Sequence, residues 1–79
     1  MDQKNDILIE RFARALQLRR RECGLSQEEV AHLAGLSTSY MSLLETRKRQ
    51  PTLSVLGALA KALDLSLLEF MGMIGEDDR

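Results

Sequence analysis

Leu25-Ser26-Gln27-Glu28-Glu29-Val30-Ala31-His32-Leu33-Ala34-Gly35-Leu36-Ser37-Thr38-Ser39-Tyr40-Met41-Ser42-Leu43-Leu44-Glu45 is the stretch that decides the architecture. Ser26 and Glu29 have the spacing of a capping box, in which hydroxyl and carboxylate each satisfy a free backbone N–H at a helix start. Leu25 and Val30 stand where a hydrophobic staple needs them. Gly35 ends that helix, because a stop of this kind uses positive φ and glycine takes it without a steric penalty. Ser37 then opens another helix, with Leu36 and Met41 as the staple pair. The pattern predicts helices over 27–34 and 38–45 joined by Ala34-Gly35-Leu36-Ser37. Two helices this short and this tightly joined cross at a steep angle. Their closest approach needs a small side chain and has Ala31; the buried side of the second needs apolar residues three apart and has Met41 and Leu44. Val30 and Leu36 complete a small core.

Outward from this pair the helix starts repeat. Ser66 with Glu69 is a second capping box, framed by Leu65 and Phe70, and Pro51-Thr52 marks another start because proline cannot continue a preceding helix. The first helix is expected from about Ile7 to Glu22, with Phe12, Leu16 and Arg20 four apart on one face. The fourth is expected over about Leu53 to Leu63, with Leu53, Leu56, Leu59, Ala60 and Leu63 at helical spacing. The fifth covers Leu67 to about Met71, with an extension toward Ile74. Alternating β-branched runs and Asn-Gly or Asp-Gly hairpin turns are absent, so the expected class is all-α. The expected organisation is a single domain over 1–79, with a core of about 7–74 and the crossed pair at about 27–46.

Length and composition exclude several functions. Seventy-nine residues, 44% hydrophobic and 29% charged, make a small globular unit, one that buries only about 60% of its unfolded surface. One cysteine, Cys23, cannot form an internal disulfide, and one histidine, His32, cannot supply a multi-histidine metal site. No metal or cofactor is expected. Glu28 and Glu29 are neighbours about 100° apart on a helix and serve capping rather than acid–base work, so an enzyme is not expected. No run of about 18 apolar residues exists to span a membrane. The opening Met-Asp-Gln-Lys-Asn-Asp lacks a signal peptide's apolar stretch, and the expectation is a reducing cytoplasm. The net charge of −1 conceals an asymmetry: residues 11–61 carry nine cations against four carboxylates, while both ends are acidic. A polyanion would therefore have to meet the middle of the chain.

Gly24-Leu25-Ser26-Gln27-Glu28-Glu29-Val30-Ala31, Ala34-Gly35-Leu36-Ser37, Tyr40-Met41-Ser42 with Leu44-Glu45, and Pro51-Thr52-Leu53 together resemble the phage repressor/Cro type of helix-turn-helix, the Xre family. The likeness runs from about Phe12 to Met71. It implies an all-α, five-helix, lambda-repressor-like bundle that binds double-stranded DNA, is usually a homodimer, and regulates transcription, often as a repressor, at a pseudo-palindromic operator. By the same resemblance Gln27 contacts a phosphate near its helix N-terminus, where free N–H groups favour an anion. Ser37, Thr38, Ser39, Tyr40, Ser42 and Leu43 match the recognition helix and its cap, which enter the major groove. Arg47, Lys48 and Arg49 match a loop along the sugar–phosphate backbone. Arg20 and Glu45 match a structural ion pair tying the first helix to the end of the third. Many relatives have Gly where this chain has Arg47, so either Arg47 takes the left-handed conformation or the third helix ends differently.

Other features carry more than one reading. Tyr40 can brace the helix pair or reach a phosphate. Arg19 and Arg21 read as a solvated face, His32 as a surface residue and Cys23 as a core-edge residue. The reading face holds no Arg, Gln or Asn for bidentate base contacts, so its hydroxyls, Leu43 and the Thr38 methyl leave direct readout thin. Leu68, Met71 and Ile74 are expected to form a dimer seam. The alternative function is an antitoxin or other interaction module whose apolar C-terminal helix binds a partner protein.

Overall fold

A computed structural model describes residues 3–75, with side chains from Asp6 onward. Five helices and no strand are present among the described residues: α1 (Gln3–Glu22), α2 (Gln27–Ala34), α3 (Thr38–Glu45), α4 (Leu53–Ala62) and α5 (Leu67–Gly75). The bundle is all-α, as the capping pattern implies. α1 begins a turn before Ile7, in a polar segment that carries no apolar periodicity, and α5 runs past Ile74.

The caps explain where the helices start. Ser26 Oγ accepts from Glu29 N at 3.0 Å while Glu29 Oε1 accepts from Ser26 N at 2.8 Å. Ser66 and Glu69 repeat this at 3.0 and 2.7 Å. Ser37 Oγ accepts from Tyr40 N and Thr52 Oγ1 from Val55 N, each satisfying one of the orphan donors of a helix N-terminus. The Ser66 N–H and hydroxyl bonds stabilise the charged Glu69 carboxylate and hold its pKa below the usual value.

Helices α1 to α4 all stop by one device. A left-handed residue closes each helix, and the N–H of the residue after it reaches back to the helix: Leu25 N to Arg20 O, Leu36 N to Ala31 O, Lys48 N to Leu43 O and Leu65 N to Ala60 O, at 2.8 to 3.1 Å. The left-handed residues are Gly24, Gly35, Arg47 and Asp64, with φ of 70°, 73°, 67° and 59°. Two of the four stops therefore carry a side chain. Arg47 accepts the strained conformation, and α3 ends where a glycine would have ended it.

One apolar core holds the helices together. Phe12 and Leu16 of α1, Val30 and Ala31 of α2, Met41 and Leu44 of α3, Leu59 and Leu63 at α4, and Phe70 and Ile74 of α5 are buried in it. Phe12 and Phe70 meet as a tilted aromatic pair with centroids 6.1 Å apart. The staple residues Leu25, Leu36 and Leu65 pack against its edge. α2 packs against α3 and α4, and α1 packs against α5 and α3, so α3 is seated on both sides.

Candidate nucleic-acid interface

α3 is held by a polar lock at its C-terminal end. Glu45 is the one buried charged residue among those described, its side chain 3% exposed. Its Oε2 accepts from Arg20 Nε at 2.6 Å, and its Oε1 accepts from Arg20 Nη2 at 3.1 Å and Gln27 Nε2 at 2.9 Å. Arg20 spends a third nitrogen on Leu25 O at 3.0 Å, and Gln17 Nε2 donates to the Glu45 carbonyl at 2.8 Å. The bidentate bond with Glu45 raises the Arg20 pKa further above its ordinary value, against the opposing effect of burial. Every buried side-chain polar atom among the described residues has a partner. The lock ties α1, the start of α2 and the end of α3 into one frame, so the outer face of α3 is presented with little freedom.

With Met41 and Leu44 fully buried, the turn of the helix sets the other residues outward. Ser37, Thr38 and Ser39 are exposed, and Ser42 and Leu43 are half-buried. Tyr40 is half-buried and packs against the core. Gln27 is half-buried, with its amide directed onto Glu45 through one N–H, which leaves the second amide hydrogen for another acceptor. Beyond α3, Thr46 Oγ1 donates to Ser42 O at 2.8 Å, and Arg47, Lys48 and Arg49 are exposed in the loop that follows.

The structure adds two residues to this surface. Glu10 and Arg14 of α1 lie beside the loop, Glu10 Oε2 being 3.9 Å from Arg47 Nη1 and 3.3 Å from Arg14 Nη2. Their spacing on α1 is that of an ordinary surface pair, and nothing in the linear sequence announces that Arg47 folds back onto them. Elsewhere, Arg19 Nε donates to Leu63 O at 3.0 Å and forms an ion pair with Glu22, so it fastens α1 to the end of α4. The Cys23 thiol faces the same carbonyl at 3.6 Å, half-buried at the core edge. The seam residues separate: Leu68 is 82% exposed and Met71 is exposed, whereas Ile74 is 4% exposed and belongs to the chain's own core. Ile74 lies on the inner face of an α5 that continues past Met71, so its removal from a seam follows from the length of the helix.

No group of three or more His, Cys, Asp or Glu among the described residues is placed to hold a metal ion. No described helix is long and apolar enough to cross a membrane.

Two short helices packed together, a glycine turn between them and a basic loop beside the outer helix invite comparison with known proteins. The helix-turn-helix family model matches residues 16–70. The chain belongs to that family. Its relatives include HTH-type transcriptional regulators and a control protein, C.SmaI of Serratia marcescens. This helix-turn-helix chain is 48% identical over 52 residues to an HTH-type transcriptional regulator of Sinorhizobium fredii, covering 66% of this chain and 68% of the relative. It is 45% identical over 51 residues to the HTH-type transcriptional regulator PuuR of Escherichia coli, covering 65% of this chain but only 28% of that longer protein. Among solved structures it is similar to the restriction–modification controller protein C.AhdI of Aeromonas hydrophila, with a TM-score of 0.75 and 37% identity over 78% of this chain and 94% of that one.

Proposed function

We propose that this chain is a sequence-specific regulator that occupies a pseudo-palindromic operator as a homodimer. The observation that carries the reading is the placement of the exposed Thr38–Ser39 turn and the 47–49 loop at opposite ends of one helix fixed by the Arg20–Glu45–Gln27 lock. α3 enters the major groove with Ser37, Thr38, Ser39, Ser42 and Leu43 toward the bases. Arg47, Lys48 and Arg49 meet backbone phosphates at one end. Gln27, at the N-terminus of α2, offers its second amide hydrogen to another. Phosphate contacts supply most of the affinity, which falls steeply with salt. The hydroxyls discriminate weakly, Leu43 and the Thr38 methyl pack on thymine methyls, and sequence-dependent DNA shape supplies further selectivity.

Two copies bring two half-sites and nearly double the contact energy. The surface suited to the second copy is the outer face of α5, where Leu68 and Met71 are exposed. A shallow apolar cleft of about 120 Å³ lies there, lined by Leu8, Phe12, Pro51, Leu56, Met71 and Ile74. Leu68 is the side chain a partner would bury. A protein partner is the other reading of the same exposed leucine.

Selection from random duplexes, followed by anisotropy titration of the winner and of a scrambled control, tests the proposal. A two-fold symmetric consensus bound far more tightly than the control is expected. Weak and equally salt-sensitive binding to both would overturn operator recognition and favour the α5 surface as a site for another protein.

A further inference from the structure

Arg14 and Arg47 come from different parts of the chain, yet their guanidinium groups converge on one oxygen. Glu10 Oε2 is 3.3 Å from Arg14 Nη2 and 3.9 Å from Arg47 Nη1. The three side chains rim an open polar hollow that also has Gln17 and Thr46 on its wall, at the point where α3 ends. The arrangement has little structural purpose. Arg14 is 70% exposed, Arg47 59% and Glu10 47%, and ion pairs this exposed add little to stability. Arg47 also holds its place at the cost of a left-handed backbone, and strain of that kind gathers at functional positions.

Two guanidinium groups around one anionic oxygen are what a phosphodiester oxygen needs. We infer that Arg14 and Arg47 form a seat for a DNA backbone phosphate, filled in the free protein by the Glu10 carboxylate, which the phosphate displaces on binding. The inference rests on the operator-binding reading above and adds Arg14 as a phosphate contact and Glu10 as an internal competitor. Glu10 acts against binding in two ways. It neutralises the cations before DNA arrives, and once displaced it still faces a phosphate of like charge. Its one opposing effect, holding Arg47 ready, is small, because a contact at 3.9 Å is longer than a hydrogen bond and fixes no rotamer.

The test uses the full chain and a fluorescein-labelled random-sequence duplex, with anisotropy titrations at several chloride concentrations. Glu10→Gln is expected to tighten binding about threefold to tenfold, the scale of releasing one exposed pair and removing one like charge. Arg14→Gln is expected to weaken binding by a similar factor and flatten the salt slope by about one unit. In the double variant the gain from Glu10→Gln shrinks, since half of the seat is gone. Glu22→Gln, which removes the same charge from the far end of α1, is expected to change little. If Glu22→Gln tightens binding as much as Glu10→Gln while Arg14→Gln is silent, the effect is net charge and the seat is refuted. Lys48→Ala and Arg49→Ala separate the two levels. Flattened slopes there beside silent Glu10 and Arg14 variants remove the seat alone; unchanged slopes there remove the loop reading as well. Inorganic phosphate at matched ionic strength is expected to compete no better than chloride, and stronger competition would make this a free-anion site and overturn its assignment to DNA. All these side chains are on the surface, and thermal melts followed by helical circular dichroism verify that each variant is folded.

Discussion

Replacing Arg47 by glycine is expected to make the protein more stable and its DNA binding weaker. With φ at 67°, Arg47 closes α3 in the left-handed region, where a Cβ-bearing residue loses about 1–2 kcal/mol to the clash with its own carbonyl. Glycine removes that clash, but it gives back about 0.4–1 kcal/mol by loosening the unfolded chain. The Arg47–Glu10 contact is also lost; at 3.9 Å between half-exposed groups, it is worth a few tenths of a kcal/mol, about 0.2–0.5. The balance favours glycine by about 0.5 kcal/mol, which in a domain of this size raises the melting temperature by about 2–4 °C. Arg47→Ala separates the contributions, since it loses the same charge and keeps the Cβ, and it should melt at or below the wild type. Both variants should bind duplex DNA more weakly and show a salt slope flatter by about one unit. Thermal denaturation and salt-dependent anisotropy read the two effects independently. A glycine variant that melts no higher than the alanine variant would refute the strain argument, and an unchanged slope in both would remove Arg47 from the phosphate contacts.

The remaining predictions address the frame, the caps and the seam. Arg20→Leu leaves the buried Glu45 carboxylate without its bidentate partner and should cost about 3 kcal/mol in urea denaturation; a loss below about 1 kcal/mol would mean water replaces the arginine. Gly57→Ala, in mid-α4 with open space where its Cβ would sit, should stabilise by about 0.5–1 kcal/mol, as judged by the denaturation midpoint. Glu69 has its pKa lowered by the Ser66 bonds, so its charge stabilises the fold above the unfolded carboxylate value and ceases to do so as pH falls through the lower folded value. Wild type should therefore out-melt Glu69→Gln at neutral pH and the two should converge in acid, whereas a pH-independent gap would deny the linkage. Leu68→Glu should yield monomers in sedimentation with little change in melting, and an intact dimer after that change would rule out the α5 seam.

How much of this was legible in the sequence depends on the range of the interaction. Ser26–Glu29 and Ser66–Glu69 are three residues apart, so their geometry is a property of the local chain, and α2 and α3 fall on the predicted boundaries. Gly35 announces its own stop. Arg47 and Asp64 do not, because a side chain tolerates positive φ only when the packing around it outweighs the strain. The extra turn of α1 was hidden for a related reason: its residues are polar, and their helicity comes from continuation of a packed helix rather than from an apolar stripe. Family resemblance paired Arg20 with Glu45, but the further bonds from Gln17 and Gln27 to the same residue emerge only once three helices meet.

By itself, the sequence determined the all-α class, the short helix pair with its glycine turn, and the concentration of positive charge in the middle of the chain. Each of these follows from residue type and spacing along a few turns of helix. Only the tertiary structure decided that Ile74 faces inward while Leu68 faces out, that Gln27 shares Glu45 with Arg20, and that Glu10 and Arg14 flank Arg47. Those are relations between side chains far apart in the chain, fixed by how helices rotate and stop when they close around one core, and no local pattern records them.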